Sequence, residues 1–173
     1  MKYLLIFILI LPMIAADQTQ TSPNQPLWDK DDDHNFISQG TVTSDLIQTL
    51  DVFKARTADY KADPTALQDI KNYSTPAEIK VIFGDWCADS KKHVPAFLKI
   101  MELAANPNLK TTYINVDRQK KQPADLISPF NIEHVPTFIV LSNGHELGRI
   151  VENPKISIEQ DLADILTGVA AAD

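Results

Sequence analysis

The spacing of apolar positions changes several times along this chain, and each change marks an element. Leu46, Ile47, Leu50, Val52 and Phe53 recur at helical spacing. They predict a helix over 44–60, capped by Thr43 or Ser44, with Asp45 in its first turn. Asp63-Pro64 starts a second helix over 64–73, with Asp63 as cap and Leu67 and Ile70 facing inward. Residues 78–84 are apolar and β-branched and read as a central strand. Val94, Phe97, Leu98, Met101 and Leu103 then mark the buried face of a helix over 87–105, with Lys91, Lys92 and Lys99 in water. Asn106-Pro107-Asn108 ends it. A strand over 111–116 follows, then a charged loop over 117–122. Pro123 opens a short helix that the chain leaves at Phe130-Asn131. Residues 137–141 and 147–151 form a hairpin around Asn143-Gly144. Ser157-Ile158-Glu159-Gln160 has the pattern of a capping box for a last helix that buries Leu162, Ile165 and Leu166. No internal repeat is present.

The N-terminal quarter has a different character. Lys2, the apolar run Leu4–Leu11, Pro12 and Ala15-Ala16 have the order of a secretory signal peptide over 1–16, too short for a stable membrane span. No Cys follows the cleavage region to carry a lipid. Residues 17–40 are polar and contain proline, which predicts a flexible segment ahead of a domain over 41–173. Within it, Trp28-Asp29-Lys30-Asp31-Asp32-Asp33-His34 gathers four carboxylates that could attract Ca²⁺. The run lacks the alternating ligands and turn glycine of an EF-hand, so it reads as a solvated acidic stretch.

Composition narrows the function. The 173 residues are 44% hydrophobic and 23% charged, enough for one domain with a real core. A formal net charge of −7 gives no electrostatic basis for binding nucleic acid. The chain holds a single cysteine, Cys87, so it forms no internal disulfide. Exported, it would expose one thiol to an oxidising compartment. A monomer is expected under reducing conditions, with a Cys87-linked dimer possible on oxidation.

Cys87 stands at a change of period, where the apolar strand turns into the long amphipathic helix. Unpaired N–H groups and the positive end of the helix dipole favour a thiolate at such a place. Trp86 can shield one side. Ser90 lies on the same side of the first helical turn, where its hydroxyl and N–H could donate to the sulfur. A lone cysteine can equally be buried and inert.

Trp86-Cys87-Ala88-Asp89-Ser90 resembles the thioredoxin-family motif Trp-Cys-Gly-Pro-Cys, with Ser90 in place of the second cysteine. Pro95 matches the proline within the family's active-site helix, Val135-Pro136-Thr137 its cis-proline signature, and Asn143-Gly144 its last hairpin. The resemblance spans residues 78–168. It implies a thioredoxin-like α/β fold. A four-stranded mixed sheet would carry helices on both faces, with an N-terminal helical extension. It also implies that Pro136 faces Cys87 across a groove in which Val135 offers its backbone to an extended peptide, with Trp86 alongside.

The departures from the pattern bear on mechanism. A dithiol oxidoreductase needs a second thiol to release the mixed disulfide, and Ser90 cannot supply it. Val81 stands where the family has a buried Asp, and Tyr113 where it commonly has the associated Lys. Asp89 replaces the motif proline; its charge opposes a thiolate that Lys91 and Lys92 favour. His93 and His134 could act as bases or join Cys87 around a metal, but they read more simply as surface residues. The leading expectation is monothiol thiol–disulfide exchange with protein thiols or disulfides, with glutathione or another external thiol as resolver. The alternative is a redox-inactive module that binds extended polypeptide in the groove. Beyond an external thiol, no cofactor or metal is expected.

Overall fold

The computed structural model describes residues 30–31, 34–35 and 37–168. The expected signal peptide and most of the acidic run lie outside the described residues. Strands β1 (Lys30–Asp31) and β2 (His34–Asn35) pair antiparallel with each other, inside the stretch expected to be flexible. The main sheet is built from β3 (Gly40–Val42), β4 (Ala77–Phe83), β5 (Leu109–Asn115), β6 (Thr137–Ser142) and β7 (His145–Val151). Its spatial order is β3-β5-β4-β6-β7. The helices are α1 (Ser44–Ile47), α2 (Asp51–Asp59), α3 (Pro64–Asn72), α4 (Ala88–Ala104), α5 (Ala124–Ile127) and α6 (Ile158–Thr167). A 3₁₀ turn, Ser128–Phe130, follows α5.

The sheet is mixed. β4 and β5 run parallel with Val81 opposite Tyr113, and α4 makes the crossover between them. β6 is antiparallel to β4, and β7 to β6. Asn143 and Gly144 both take positive φ, 51° and 79°, as a tight primed hairpin turn requires.

Three expectations are corrected. The sheet has five strands, because β3 joins antiparallel along the free edge of β5. The helix expected over 44–60 is two helices. The Thr49 hydroxyl donates to the Leu46 carbonyl and closes the first, and Leu50 takes an extended conformation before α2. The apolar spacing runs straight across this break, so periodicity could not reveal it. Leu103 is 42% exposed, although it sits within the stripe of α4.

Period-two alternation divides the sheet residues between two cores. Ile79, Val81 and Phe83 of β4 point into the larger one with α1, α2, α3, α4 and α6. Ile82 points into a smaller core with Ile114, Ile139 and Ile127 of α5. Helices therefore flank both faces unequally, and the N-terminal extension lies on the same face as α4.

Asn106 pins that extension down. Its amide donates to the Ile70 and Tyr73 carbonyls at 2.8 Å each, and its oxygen accepts from Asn108 N–H at 2.9 Å. These bonds satisfy carbonyls at the C-terminal end of α3, where Ile70 otherwise accepts only a long bond from Tyr73 N–H at 3.4 Å. Asn106 is buried, so Asn106→Ala would strand several polar groups at once. Urea denaturation should show a loss of about 2–3 kcal/mol. A loss under about 0.5 kcal/mol, the usual range for a surface change, would contradict this account.

Candidate functional site

β4 ends at Phe83, and the chain must turn at once to enter α4. The turn closes through Cys87 N–H on the Gly84 carbonyl at 2.9 Å. Cys87 becomes the N-cap of α4, with extended φ −83° and ψ 131°, and its carbonyl accepts from Lys91 N–H at 3.0 Å. This places the thiol at the start of a 17-residue helix. Cys87 is partly exposed.

Gly84 is needed for close approach. A Cβ there would lie 2.7 Å from Cζ2 and Nε1 of Trp86, and nearer still to Cε2. The indole lies back over the turn and donates from Nε1 to the Val116 carbonyl at 2.9 Å. The Arg118 guanidinium sits 5.4 Å from the ring centroid.

Of the residues singled out from sequence, Cys87, Val135 and Pro136 meet. The Cys87 thiol donates to the Val135 carbonyl at 3.2 Å, and the Val135–Pro136 peptide bond is cis. Trp86 and Cys87 both pack against the smaller core that includes Val135. The thiol proton is the donor, so this bond is lost when the sulfur ionises or joins another sulfur. The Val135 carbonyl is then free to accept from a bound peptide.

Ser90 lies on the first turn of α4, turned inward. It is fully buried, and its hydroxyl oxygen accepts from Gly84 N–H at 3.2 Å. It braces the turn from below. His93 is also buried; its Nε2 lies 3.0 Å from Asn153 Oδ1. His134 is exposed, with Nδ1 3.3 Å from a Glu152 carboxylate oxygen. Neither histidine bonds the sulfur among the described residues. Val81 is fully buried, and burial pushes the phenol of its neighbour Tyr113 well above its ordinary pKa.

Sequence reasoning missed Asp85. Asp85 is only 3% exposed, and its carboxylate accepts from Ile37 N–H at 2.6 Å. Asn115 completes a clasp around the incoming chain: Nδ2 donates to the Ile37 carbonyl at 2.9 Å, and Oδ1 accepts from Asp85 N–H at 3.1 Å. Burial pushes the Asp85 pKa up to about 6, against the opposing pull of the Ile37 N–H, the Asn115 side chain, the Trp86 N–H and the Lys91 charge. No local signal distinguishes this aspartate from a solvated loop residue. Its burial depends on a partner 48 residues away.

Gly84→Ala should push the indole off the Val116 carbonyl and lower stability by about 1–3 kcal/mol. Unchanged urea unfolding would mean that the ring is not held there. Asp85 binds its proton more tightly folded than unfolded. Its stabilising contribution is therefore full below pH about 4 and declines as pH rises through about 6. Wild-type stability relative to Asp85→Asn should thus fall between pH 4 and 7, by at most about 3 kcal/mol. A rise over that window in paired urea titrations would contradict the burial argument.

Comparison with known proteins agrees with this geometry. The thioredoxin family pattern matches residues 44–164, well over half the chain. The chain is similar to thioredoxin-5 of Dictyostelium discoideum, 26% identical over 98 residues, covering 57% of this chain and 88% of that protein. It is also similar to thioredoxin H9 of Arabidopsis thaliana, 27% identical over 84 residues, covering 49% of this chain and 56% of that protein. A solved Pseudomonas aeruginosa protein of unknown function shares the fold, with a TM-score of 0.56 at 16% identity, over 75% of this chain and 92% of that one. A sheet ending in a Trp-Cys turn, a helix capped by that cysteine and an X–Pro edge against its sulfur all fit one assignment, and the chain belongs to the thioredoxin family.

Proposed function

We propose that this protein carries out monothiol thiol–disulfide exchange on polypeptides through Cys87. The observation that carries the proposal is the sulfur itself. It belongs to a partly exposed residue at the N-cap of α4 and lies 3.2 Å from the Val135 carbonyl beside Pro136. A disulfide brought along that edge would meet the sulfur end-on.

The chemistry balances with one external thiol. The Cys87 thiolate attacks one sulfur of a substrate disulfide. That S–S bond breaks, a Cys87–substrate mixed disulfide forms, and the second substrate sulfur leaves as thiolate. The chain has no other cysteine to resolve this intermediate. A thiolate of the glutathione class attacks it, frees one partner and restores a thiol. Val81 and Tyr113 fit this reading, because a site without a resolving thiol needs no buried acid to deprotonate one. The apolar, basic and small-residue order of residues 1–16 supports export to an oxidising compartment, where substrate disulfides would be found.

Reduction of insulin disulfides tests the reading. Wild type with glutathione should turn over slowly and accumulate mixed disulfide, while Cys87→Ala stays at background. Ser90→Cys supplies a thiol where the family motif has its second cysteine. It should turn over several-fold faster with a small dithiol. If wild type and Cys87→Ala are indistinguishable, the exchange reading falls. The Val135–Pro136 edge would then serve a module that only binds extended polypeptide.

A further inference from the structure

A groove of about 640 Å³ opens beside the site, within the size range of ligand-binding clefts. Arg56 and Tyr60 line it from the end of α2, Lys92 and His93 from α4, and Asn153 and Ile156 from the loop between β7 and α6. The N-terminal extension therefore forms one wall. We propose that this groove holds an acidic stretch of the polypeptide whose disulfide Cys87 attacks. The proposal rests on the exchange reading and names a substrate class for it.

Continuity is the first argument. Glu152 N–H donates to the Pro136 carbonyl at 2.8 Å, and Asn153 is the next residue. A lining residue of the groove thus follows directly on the residue bonded to Pro136. His93 lies six residues along α4 from Cys87, about 9 Å of helix rise. An extended peptide covers that distance in about three residues.

The chemistry of the walls is the second argument. His93 is 7% exposed, and its Nε2 is engaged with Asn153 Oδ1. Its Nδ1 bonds no described residue, yet no described side-chain nitrogen sealed from water lacks a partner. That nitrogen is therefore not sealed from water, and His93 lines the groove. Burial, helped by the Lys92 charge, holds the imidazole pKa below its ordinary value, while Asn153 and Asp89 oppose the shift. This shift favours the uncharged ring. With Nε2–H on Asn153, its Nδ1 lone pair can accept a peptide N–H.

Arg56 and Lys92 are exposed on the rim, and neither pairs with a described carboxylate. Asp59 is the one lining carboxylate. Glu159, behind the wall, is already taken by the Tyr60 hydroxyl at 2.7 Å and Asp63 N–H at 2.8 Å. Ile156, 73% exposed, adds an apolar contact at the mouth. Arg56 and Lys92, above an acceptor for a backbone N–H, offer direct contacts to acidic side chains of a bound peptide; Asp59 in the lining and Asp89, one helical turn nearer Cys87, oppose them, so the preference rests on contact with these two cations and not on the local net charge. The whole molecule works the other way, since a net charge of −7 repels acidic peptides at a distance. A preference for acidic peptides would thus be a signature of the groove alone.

The test uses three peptides, each with one cysteine joined to 2-nitro-5-thiobenzoate. They differ only three and four positions to either side of that cysteine, where they carry Asp, Ser or Lys. The Cys87 thiolate attacks the peptide sulfur, the Cys87–peptide disulfide forms, and the coloured thiolate leaves. Its absorbance gives the rate. In low salt the Asp peptide should react at least about fivefold faster than the Lys peptide. Arg56→Glu and Lys92→Glu should each remove or invert that order. Lys110→Glu makes the same change in charge at the far end of β5 and should preserve it. Equal rates, a fastest Lys peptide, or an Asp advantage that survives both groove variants would overturn the proposal. No reaction with any peptide would instead overturn the exchange reading on which it rests.

Discussion

A strand must become a helix within four residues, and the site depends on how that turn is held. Gly84 to Cys87 make the change, closed by one N–H···O=C bond of 2.9 Å. The turn cannot rest on its own backbone, because a lone tight turn is marginal in water. It is braced from three sides. Ser90 accepts from Gly84 N–H below, the Trp86 indole is pinned to Val116, and Asp85 and Asn115 grip the chain at Ile37. Each brace links the turn to a different part of the fold. The position of the Cys87 sulfur against Val135 is the sum of these constraints.

One brace involves a trade-off. A carboxylate buried as deeply as Asp85 is desolvated, which disfavours its charged form. The hydrogen bonds from Ile37, Asn115 and Trp86 offset part of that and leave its pKa near 6. In return, residues 37–42 are fastened along β5, where β3 covers an edge that would otherwise be open to pairing with another chain. The N-terminal extension is thus more than padding. The same segment that secures the turn leads into α1 and α2, and the end of α2 walls the groove beside the site.

Much of this was legible in the sequence. Apolar spacing located the central strand, the long helix and the final hairpin, because each buries one face and the period shows which. The motif Trp86-Cys87 and the pair Val135-Pro136 marked two segments that proved to be in contact across the sheet. What stayed hidden was long-range or local in the wrong way. Asp85 and His93 find partners 48 and 60 residues away, and nothing in their neighbourhood announces burial. The break at Thr49 is made by a side-chain hydroxyl within an unbroken apolar pattern. Ser90 sits on the expected turn of helix but faces inward, a question of rotation that spacing alone left open.

The account stands on Cys87 being a working nucleophile with no partner inside the chain. Intact mass measured after mixing the reduced protein with glutathione disulfide tests this most directly. The account predicts one glutathione adduct on Cys87 of the folded protein, removed again by excess reduced glutathione. A folded protein that takes no adduct, while the urea-unfolded chain takes one readily, would show that the sulfur is sealed in the native state and would contradict it.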